Sequence, residues 1–137
     1  MEIKVMKNIL GENDKIAAEN RKLFSDKKIL VINLMGSPGS GKTSVLEKIL
    51  SKLAEKINVA VIEGDLFTAK DAERIERQNI SVVQINTAGG CHLDAAMVKR
   101  AAESLNLDEL NLIIVENVGN LVCPAEFDVG ENFKAVV

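Results

Sequence analysis

The chain has 137 residues, of which 47% are hydrophobic and 27% charged, and its formal net charge is −3. This length and composition predict one domain with a real hydrophobic core. The mild acidity and the lack of Tyr and Trp speak against nucleic acid as the main partner. The longest apolar run, ILVINLM, is too short to span a bilayer, and the N-terminus shows no secretory signal. We therefore expect a cytoplasmic protein without a membrane partner, whose two cysteines are reduced thiols or metal ligands.

The first predicted element is an amphipathic helix over residues 6–24, within an N-terminal segment 1–27, because apolar residues recur there at helical spacing. Short apolar segments rich in β-branched residues then alternate with helical patterns. Such alternation predicts a parallel sheet with helices on both faces. The predicted strands are 28–34, 59–65, 80–85, 111–119 and 133–137, and the predicted helices are 45–53, 68–78 and 93–105, the last with Leu93, Ala96, Met97 and Leu105 on one face.

The loop after the first strand carries the strongest motif. GSPGSGKT, residues 36–43, matches G-x-x-x-x-G-K-S/T and lies between a strand and a helix, as phosphate binding requires. Backbone N–H groups of such a loop surround phosphates, the Lys reaches the β- and γ-phosphates, and the hydroxyl binds Mg²⁺. We expect nucleotide to contact Gly36, Ser37, Pro38, Gly39, Ser40, Gly41, Lys42, Thr43 and Ser44.

The motif makes the expected fold an α/β P-loop NTPase with a mostly parallel sheet, formed by residues 28–137 behind the N-terminal helix. Such a protein needs a carboxylate near Mg²⁺, usually at a strand end. Asp65 ends the second predicted strand and Glu116 lies at the end of the fourth. We expect Thr43, Asp65 and Glu116 to hold Mg²⁺, and Lys42 and Asp65 to be catalytic, Asp65 by positioning the attacking water.

A second set of residues could hold a transition metal. Cys91 and His92 follow the third strand, and Cys123 lies in the loop after the fourth, so both loops leave the sheet at the same edge. Two thiolates and an imidazole suit Zn²⁺ or Ni²⁺. Adjacent residues rarely chelate one ion comfortably, and three ligands leave a tetrahedral shell incomplete. Two chains meeting at this edge would resolve both difficulties, although an ordinary Cys-His loop pair stays open at this point.

Four segments in this order, GSPGSGKT, EGD, NTAGGCHLDA and ENVGNLVCPAEFDVGE, resemble the HypB family, the nickel-incorporation GTPases of nickel–iron hydrogenase maturation. The resemblance implies a Zn²⁺ or Ni²⁺ site of Cys91, His92 and Cys123 at the interface of a homodimer formed with GTP, and Mg²⁺ near Thr43, Asp65 and Glu116. It also implies two protein partners: a small nickel and zinc chaperone, and the hydrogenase large-subunit precursor.

Two features depart from the family pattern. The guanine-reading N-K-x-D sequence does not occur in these 137 residues, so guanine specificity comes from the resemblance alone. The N-terminal segment carries no histidine-rich or cysteine-rich nickel site. Because the chain stops inside the strand predicted at 133–137, we also expect a fragment or a chain that lacks its C-terminal part.

The leading interpretation is a GTP-hydrolysing metallochaperone that couples nucleotide-dependent dimerisation to nickel or zinc delivery. One alternative is a P-loop kinase acting on a small molecule, although the arginine cluster of a kinase lid is missing from the sequence. The other alternative is a non-enzymatic metal carrier whose phosphate loop only gates assembly. Phosphate transfer to small acceptors and single-turnover hydrolysis distinguish these alternatives from the GTPase.

Overall fold

The computed structural model describes the backbone of residues 2–64 and 80–137 and the side chains of residues 10–64 and 80–137. The helix predicted at 68–78 lies outside the described residues. In chain order the elements are α1 (Glu2–Asp26), β1 (Leu30–Met35), α2 (Lys42–Leu53), β2 (Val59–Glu63), β3 (Ser81–Gln84), α3 (Ala95–Glu103), a 3-10 turn (Leu107–Glu109), β4 (Leu112–Glu116), α4 (Cys123–Glu126) and β5 (Phe133–Val136).

The described strands form one parallel sheet in the order β3-β2-β4-β1-β5. This confirms the predicted α/β fold, with each strand within a few residues of its expected position. All side chains of β2 and β4 are buried, as expected for central parallel strands covered on both faces. Since β1 and β4 are neighbours, the loops that follow them lie side by side at the carboxyl edge, where ligands bind in such folds.

Helices cover both faces of the sheet, as predicted. On one face, Phe24 of α1 and Val98 of α3 pack with Ile113 of β4. On the other face, Leu46 of α2 packs with Ile114 of the same strand. Successive residues of a strand point to opposite faces, so β4 supplies both halves of the core. Among the described residues, no helix is long and apolar enough to cross a membrane.

The inner face of α1 is less apolar than its sequence pattern suggested. Asn13 and Asn20 are buried on this face, about three turns and one turn before Phe24. The Asn20 amide donates hydrogen bonds to the carbonyls of Ala95 (2.9 Å) and Val129 (3.1 Å), and Asn13 Oδ1 accepts one from the Ala95 N–H (2.9 Å). The N-terminal helix thus holds the start of α3 against the loop that precedes β5.

The helix predicted at 93–105 is shorter in the structure, Ala95–Glu103, and Met97 and Leu105 of its predicted apolar face pack against the core. The helix begins at Ala95 because the Asp94 side chain caps it, accepting a hydrogen bond from the Met97 N–H at 2.9 Å. Leu93 is therefore buried outside the helix rather than on it, and Ala96, Met97 and Leu105 are only half-buried. The helix buries four small residues instead, which let it pack closely on the sheet: Ala95, Val98, Ala101 and Ala102.

Candidate functional site

The phosphate loop connects β1 to α2 and depends on its glycines. Gly39 and Gly41 have φ of 74° and 96°, a left-handed backbone that glycine adopts without strain. A Cβ atom on Gly36 would lie 2.5 Å from the Ser40 hydroxyl oxygen and 2.8 Å from the Val137 carbonyl oxygen. The motif glycines are therefore required by conformation at two positions and by close packing at the third.

Lys42 is the first residue of α2 and only 4% exposed. Its ammonium group lies 3.2 Å from the Gly36 carbonyl oxygen and 3.4 Å from that of Ser37, to which it donates hydrogen bonds. An open cavity of about 250 Å³ lies above it, lined by Gly39, Ser40, Gly41, Lys42, Thr43 and Ser44. A buried ammonium group and a helix N-terminus facing one cavity favour an anion there. Ser37 and Pro38 complete the predicted loop on its strand side.

Thr43 and Glu116 meet beneath this loop. The Thr43 hydroxyl donates a hydrogen bond to Glu116 Oε1 at 3.0 Å, and Glu116 is fully buried at the end of β4. Its other oxygen, Oε2, is buried and has no hydrogen-bond partner among the described residues. A hydroxyl and a buried carboxylate with an oxygen to spare fit the donor set that Mg²⁺ prefers.

Asp65, the other predicted acid, lies outside the described residues. Glu63, two positions earlier, was not among the site residues predicted from the sequence. Glu63 is fully buried on β2 and lies in register with Glu116 on β4. Residues in register on neighbouring strands project from the same face of the sheet, so two buried carboxylates face α2. The signal available in the sequence was a charged residue inside an otherwise apolar strand.

The three predicted transition-metal ligands come together in one chain. The ligand atoms of Cys91, His92 and Cys123 all lie within 4.8 Å of one another, and Cys91 Sγ is 3.4 Å from His92 Nδ1. The expected divergence of adjacent side chains is therefore absent at this turn. A hydrogen bond with Cys123 and, to a lesser extent, desolvation raise the pKa of the exposed Cys91 thiol.

The turn that carries Cys91 and His92 is built by local hydrogen bonds and unusual backbone angles. Ala88 and Gly89 have φ of 52° and 84°, and the Gly90 N–H donates a hydrogen bond to the Thr87 carbonyl at 3.0 Å. The His92 ring stacks on Phe127 with ring centroids 3.9 Å apart. This aromatic contact, which the sequence did not reveal, orients the imidazole toward the two cysteines. Cys123 lies at the start of the four-residue helix α4 rather than in a plain loop.

The sequence of the chain is similar to those of known proteins. The family described as CobW/HypB/UreG, nucleotide-binding domain, matches residues 30–135. The chain is 49% identical over 135 residues to "Hydrogenase maturation factor HypB" of Rhizobium leguminosarum, covering 98% of this chain and 45% of that protein. Curated relatives of this kind are longer, and the chain spans about half their length.

Solved structures show the same similarity. The hydrogenase maturation factor HypB of Archaeoglobus fulgidus superposes with a TM-score of 0.88 at 35% identity, over 93% of this chain and 62% of that one. HypB of Helicobacter pylori, solved in complex with nickel, superposes with a TM-score of 0.82 at 40% identity, over 91% of this chain and 59% of that one. The resemblance to HypB that the motifs indicated is thereby confirmed, and the chain belongs to the CobW/HypB/UreG nucleotide-binding family.

Proposed function

We propose that this chain is the nucleotide-binding part of a cytoplasmic, GTP-hydrolysing metallochaperone that binds and delivers nickel or zinc during hydrogenase maturation. The observation that carries the proposal is the position of a phosphate loop and a Cys–His–Cys cluster on neighbouring loops at one edge of the sheet. Family membership supports it, as do relatives named hydrogenase maturation factors. The partners proposed from the similarity are the pathway's nickel and zinc chaperone and the hydrogenase large-subunit precursor.

Lys42 and Asp65 have the catalytic roles in the proposed nucleotide site. Lys42 exchanges its two carbonyl contacts for oxygens of the β- and γ-phosphates. Asp65, assigned from sequence alone, orients the attacking water. The choice of guanine rests on the similarity to HypB, because no N-K-x-D sequence occurs in these 137 residues.

The residues proposed to hold Mg²⁺ are Thr43, Glu116 and Asp65. The first two already contact each other through Oε1, which leaves the buried Oε2 of Glu116 available for a cation. When bound, Mg²⁺ supplies neutralisation of the charge that develops on the phosphates. The chain itself holds the Thr43 hydroxyl and the Glu116 carboxylate next to each other beneath the phosphate loop.

The transition-metal half of the proposal requires a second chain. Cys91, His92 and Cys123 offer three ligands, one fewer than a closed tetrahedral zinc shell. Cys91 is exposed, and two large apolar residues beside Cys123 are also exposed, Leu121 at 50% and Val122 at 68%. An exposed apolar surface around an incomplete ligand set supports a two-fold interface between copies in the nucleotide-bound state.

Hydrolysis tests the nucleotide half. Lys42→Ala removes a cation that clamps phosphate, and we expect GTP turnover to fall by ~10³-fold or more. Lys48→Ala is the matched control, because Lys48 is an exposed lysine of the same helix; its turnover should stay within threefold of the parent. Turnover within threefold in Lys42→Ala would refute the assignment. Single-turnover measurements on the parent distinguish an enzyme from a carrier that only binds nucleotide.

Metal titration tests the other half. Zn²⁺ or Ni²⁺ is added to the nucleotide-bound chain while light scattering follows the mass. We expect a dimer that binds about one ion per subunit, and much weaker binding in Cys91→Ala and Cys123→Ala. If both cysteine variants bind metal as tightly as the parent, Cys91 and Cys123 are ordinary loop residues.

A further inference from the structure

Asn120 lies between the phosphate loop and the Cys–His–Cys cluster. Its backbone N–H donates a hydrogen bond to the Gly36 carbonyl at 3.0 Å, and the two residues form an isolated antiparallel bridge. The same Gly36 carbonyl accepts the hydrogen bond from the Lys42 ammonium group at 3.2 Å. The backbone of Asn120 is thus bound to the oxygen that also holds the phosphate-binding lysine in this structure.

The side chain of Asn120 points the other way, to both halves of the cluster. Its amide nitrogen Nδ2 donates to the carbonyl of Cys91 at 3.3 Å. Its oxygen Oδ1 accepts from the N–H of Val122, the residue before Cys123, at 2.8 Å. One side chain therefore sets the distance between the two chain segments that carry the cysteines.

The segment that carries Asn120 is closely packed against the phosphate loop. A Cβ atom on Gly119 would lie 3.2 Å from Pro38 Cα and 3.3 Å from the Pro38 nitrogen, so the backbones of the two loops are in direct contact. Because close-packed groups transmit displacement rather than absorb it, a shift of the phosphate loop moves residues 119 and 120 with it.

We propose that Asn120 is the positioning residue through which the phosphate loop and the metal cluster sense each other's occupancy. The inference rests on the proposed function, since it requires both sites to bind. When Lys42 leaves the Gly36 carbonyl for phosphate, the hydrogen bond from the Asn120 N–H is the contact that stays on that oxygen, and the loop moves as one unit with Asn120. The side chain then carries the shift to Cys91 and to the residue beside Cys123. By linkage, metal at the cluster changes nucleotide affinity by the same factor.

The backbone and the side chain of Asn120 make separate contacts, so a substitution can remove the side-chain contacts and keep the backbone one. Asn120→Ala keeps the N–H on Gly36 and removes both side-chain bonds to the cluster. Asn120→Asp keeps the acceptor for Val122 and replaces the donor to Cys91 by an anionic oxygen, which repels the Cys91 carbonyl. Asn86→Ala is the matched control, because Asn86 Oδ1 likewise accepts a hydrogen bond from the N–H two residues on, that of Ala88, at 2.9 Å. This hydrogen bond lies at the start of the turn that carries Cys91, so the control loosens that turn while both side-chain hydrogen bonds of Asn120 remain.

The experiment measures the Zn²⁺ dissociation constant of the chain with no nucleotide and with saturating Mg²⁺ and a non-hydrolysable GTP analogue, by competition with a chromophoric chelator. We expect the two constants of the parent to differ by about 5- to 150-fold, the usual range for coupled sites. In Asn120→Ala the ratio should approach 1, while the affinity for the analogue without zinc stays within threefold. Asn120→Asp should give an intermediate ratio, and Asn86→Ala the parent's ratio.

Each outcome is decisive. A ratio in Asn120→Ala within twofold of the parent's, with both ligands bound, would overturn the role of Asn120. A parent that binds both ligands with a ratio of 1 would overturn the coupling and leave the proposed function standing. A parent that binds neither Zn²⁺ nor Ni²⁺ would overturn both. If Asn120→Ala unfolds, Asn120→Asp decides between the first result and the expected one.

Discussion

Gly64→Ala should destabilise the fold and disturb the metal cluster together, because of how Leu93 packs. Gly64 follows β2, and a Cβ atom on it would lie 2.7–2.9 Å from Cγ, Cδ1 and Cδ2 of Leu93. Leu93 is fully buried and immediately follows His92. The added methyl group therefore has no open space, and relief requires movement of a side chain attached to the turn that carries Cys91 and His92.

The magnitude follows from two opposing effects. Overpacking a well-packed site costs about 1–3 kcal/mol. Replacing glycine by alanine also removes freedom from the unfolded chain, which stabilises the fold by about 0.4–1 kcal/mol where the backbone is compatible. The clash wins, and we expect a net loss on the order of 1–2 kcal/mol, or roughly 0.5–1 M in the urea midpoint.

Urea unfolding followed by circular dichroism measures this loss, and zinc affinity of the folded protein is the second readout. Gly11→Ala is the control, because Gly11 is an exposed residue of α1 with no atom within 4 Å of its Cβ position; it should gain about 0.5–1 kcal/mol. Combining Gly64→Ala with Leu93→Ala should give a loss smaller than the sum of the two, by at least about 0.5 kcal/mol. Additive losses, or a Gly64→Ala chain as stable as the parent, would refute the packing argument.

Two further changes probe the nucleotide site and the loop before β5. Glu116→Gln keeps an acceptor for Thr43 and removes the charge. The gain in nucleotide affinity on adding Mg²⁺ should therefore shrink by about 10-fold or more, because a hydrogen bond to a charged group contributes roughly 1.5–3 kcal/mol. An unchanged Mg²⁺ dependence of nucleotide affinity would contradict the assignment of Glu116. Burial alone raises the pKa of Asp128, but hydrogen bonds with Glu131 and Arg21 outweigh it and hold this pKa below 3.8. The resulting stability is present above pH ~4 and is lost as pH falls through the lowered folded-state pKa. Arg21→Gln should therefore destabilise at pH 7 by no more than about 1 kcal/mol, since the pair is partly exposed, and the gap between the two proteins should close as pH falls below ~4. A gap independent of pH in urea titrations would exclude the ion pair as its cause.

The sequence by itself determined the features that depend on local chemistry. The phosphate loop could be predicted because its glycines, Lys42 and Thr43 lie within one short turn between a strand and a helix, so its chemistry can be read from consecutive residues. The positions of the central strands β2 and β4 were predictable to within a few residues because a parallel strand buried on both faces needs a continuous apolar run. Sequence pattern also placed Cys91 and Cys123 at one edge of the sheet, since every parallel strand ends there.

Only the tertiary structure decided how these loops meet. The convergence of Cys91, His92 and Cys123 within 4.8 Å depends on a turn conformation and on the stack of His92 against Phe127, which no spacing rule encodes. The sequence pattern does not reveal the burial of Asn20 in α1, because the backbone carbonyls that accept its hydrogen bonds lie more than 70 residues away in the chain. Asn120 is the plainest case. It connects its own loop after β4 to the loops after β1 and β3, and these three loops come together only when the strand order β3-β2-β4-β1-β5 sets them at one edge of the sheet.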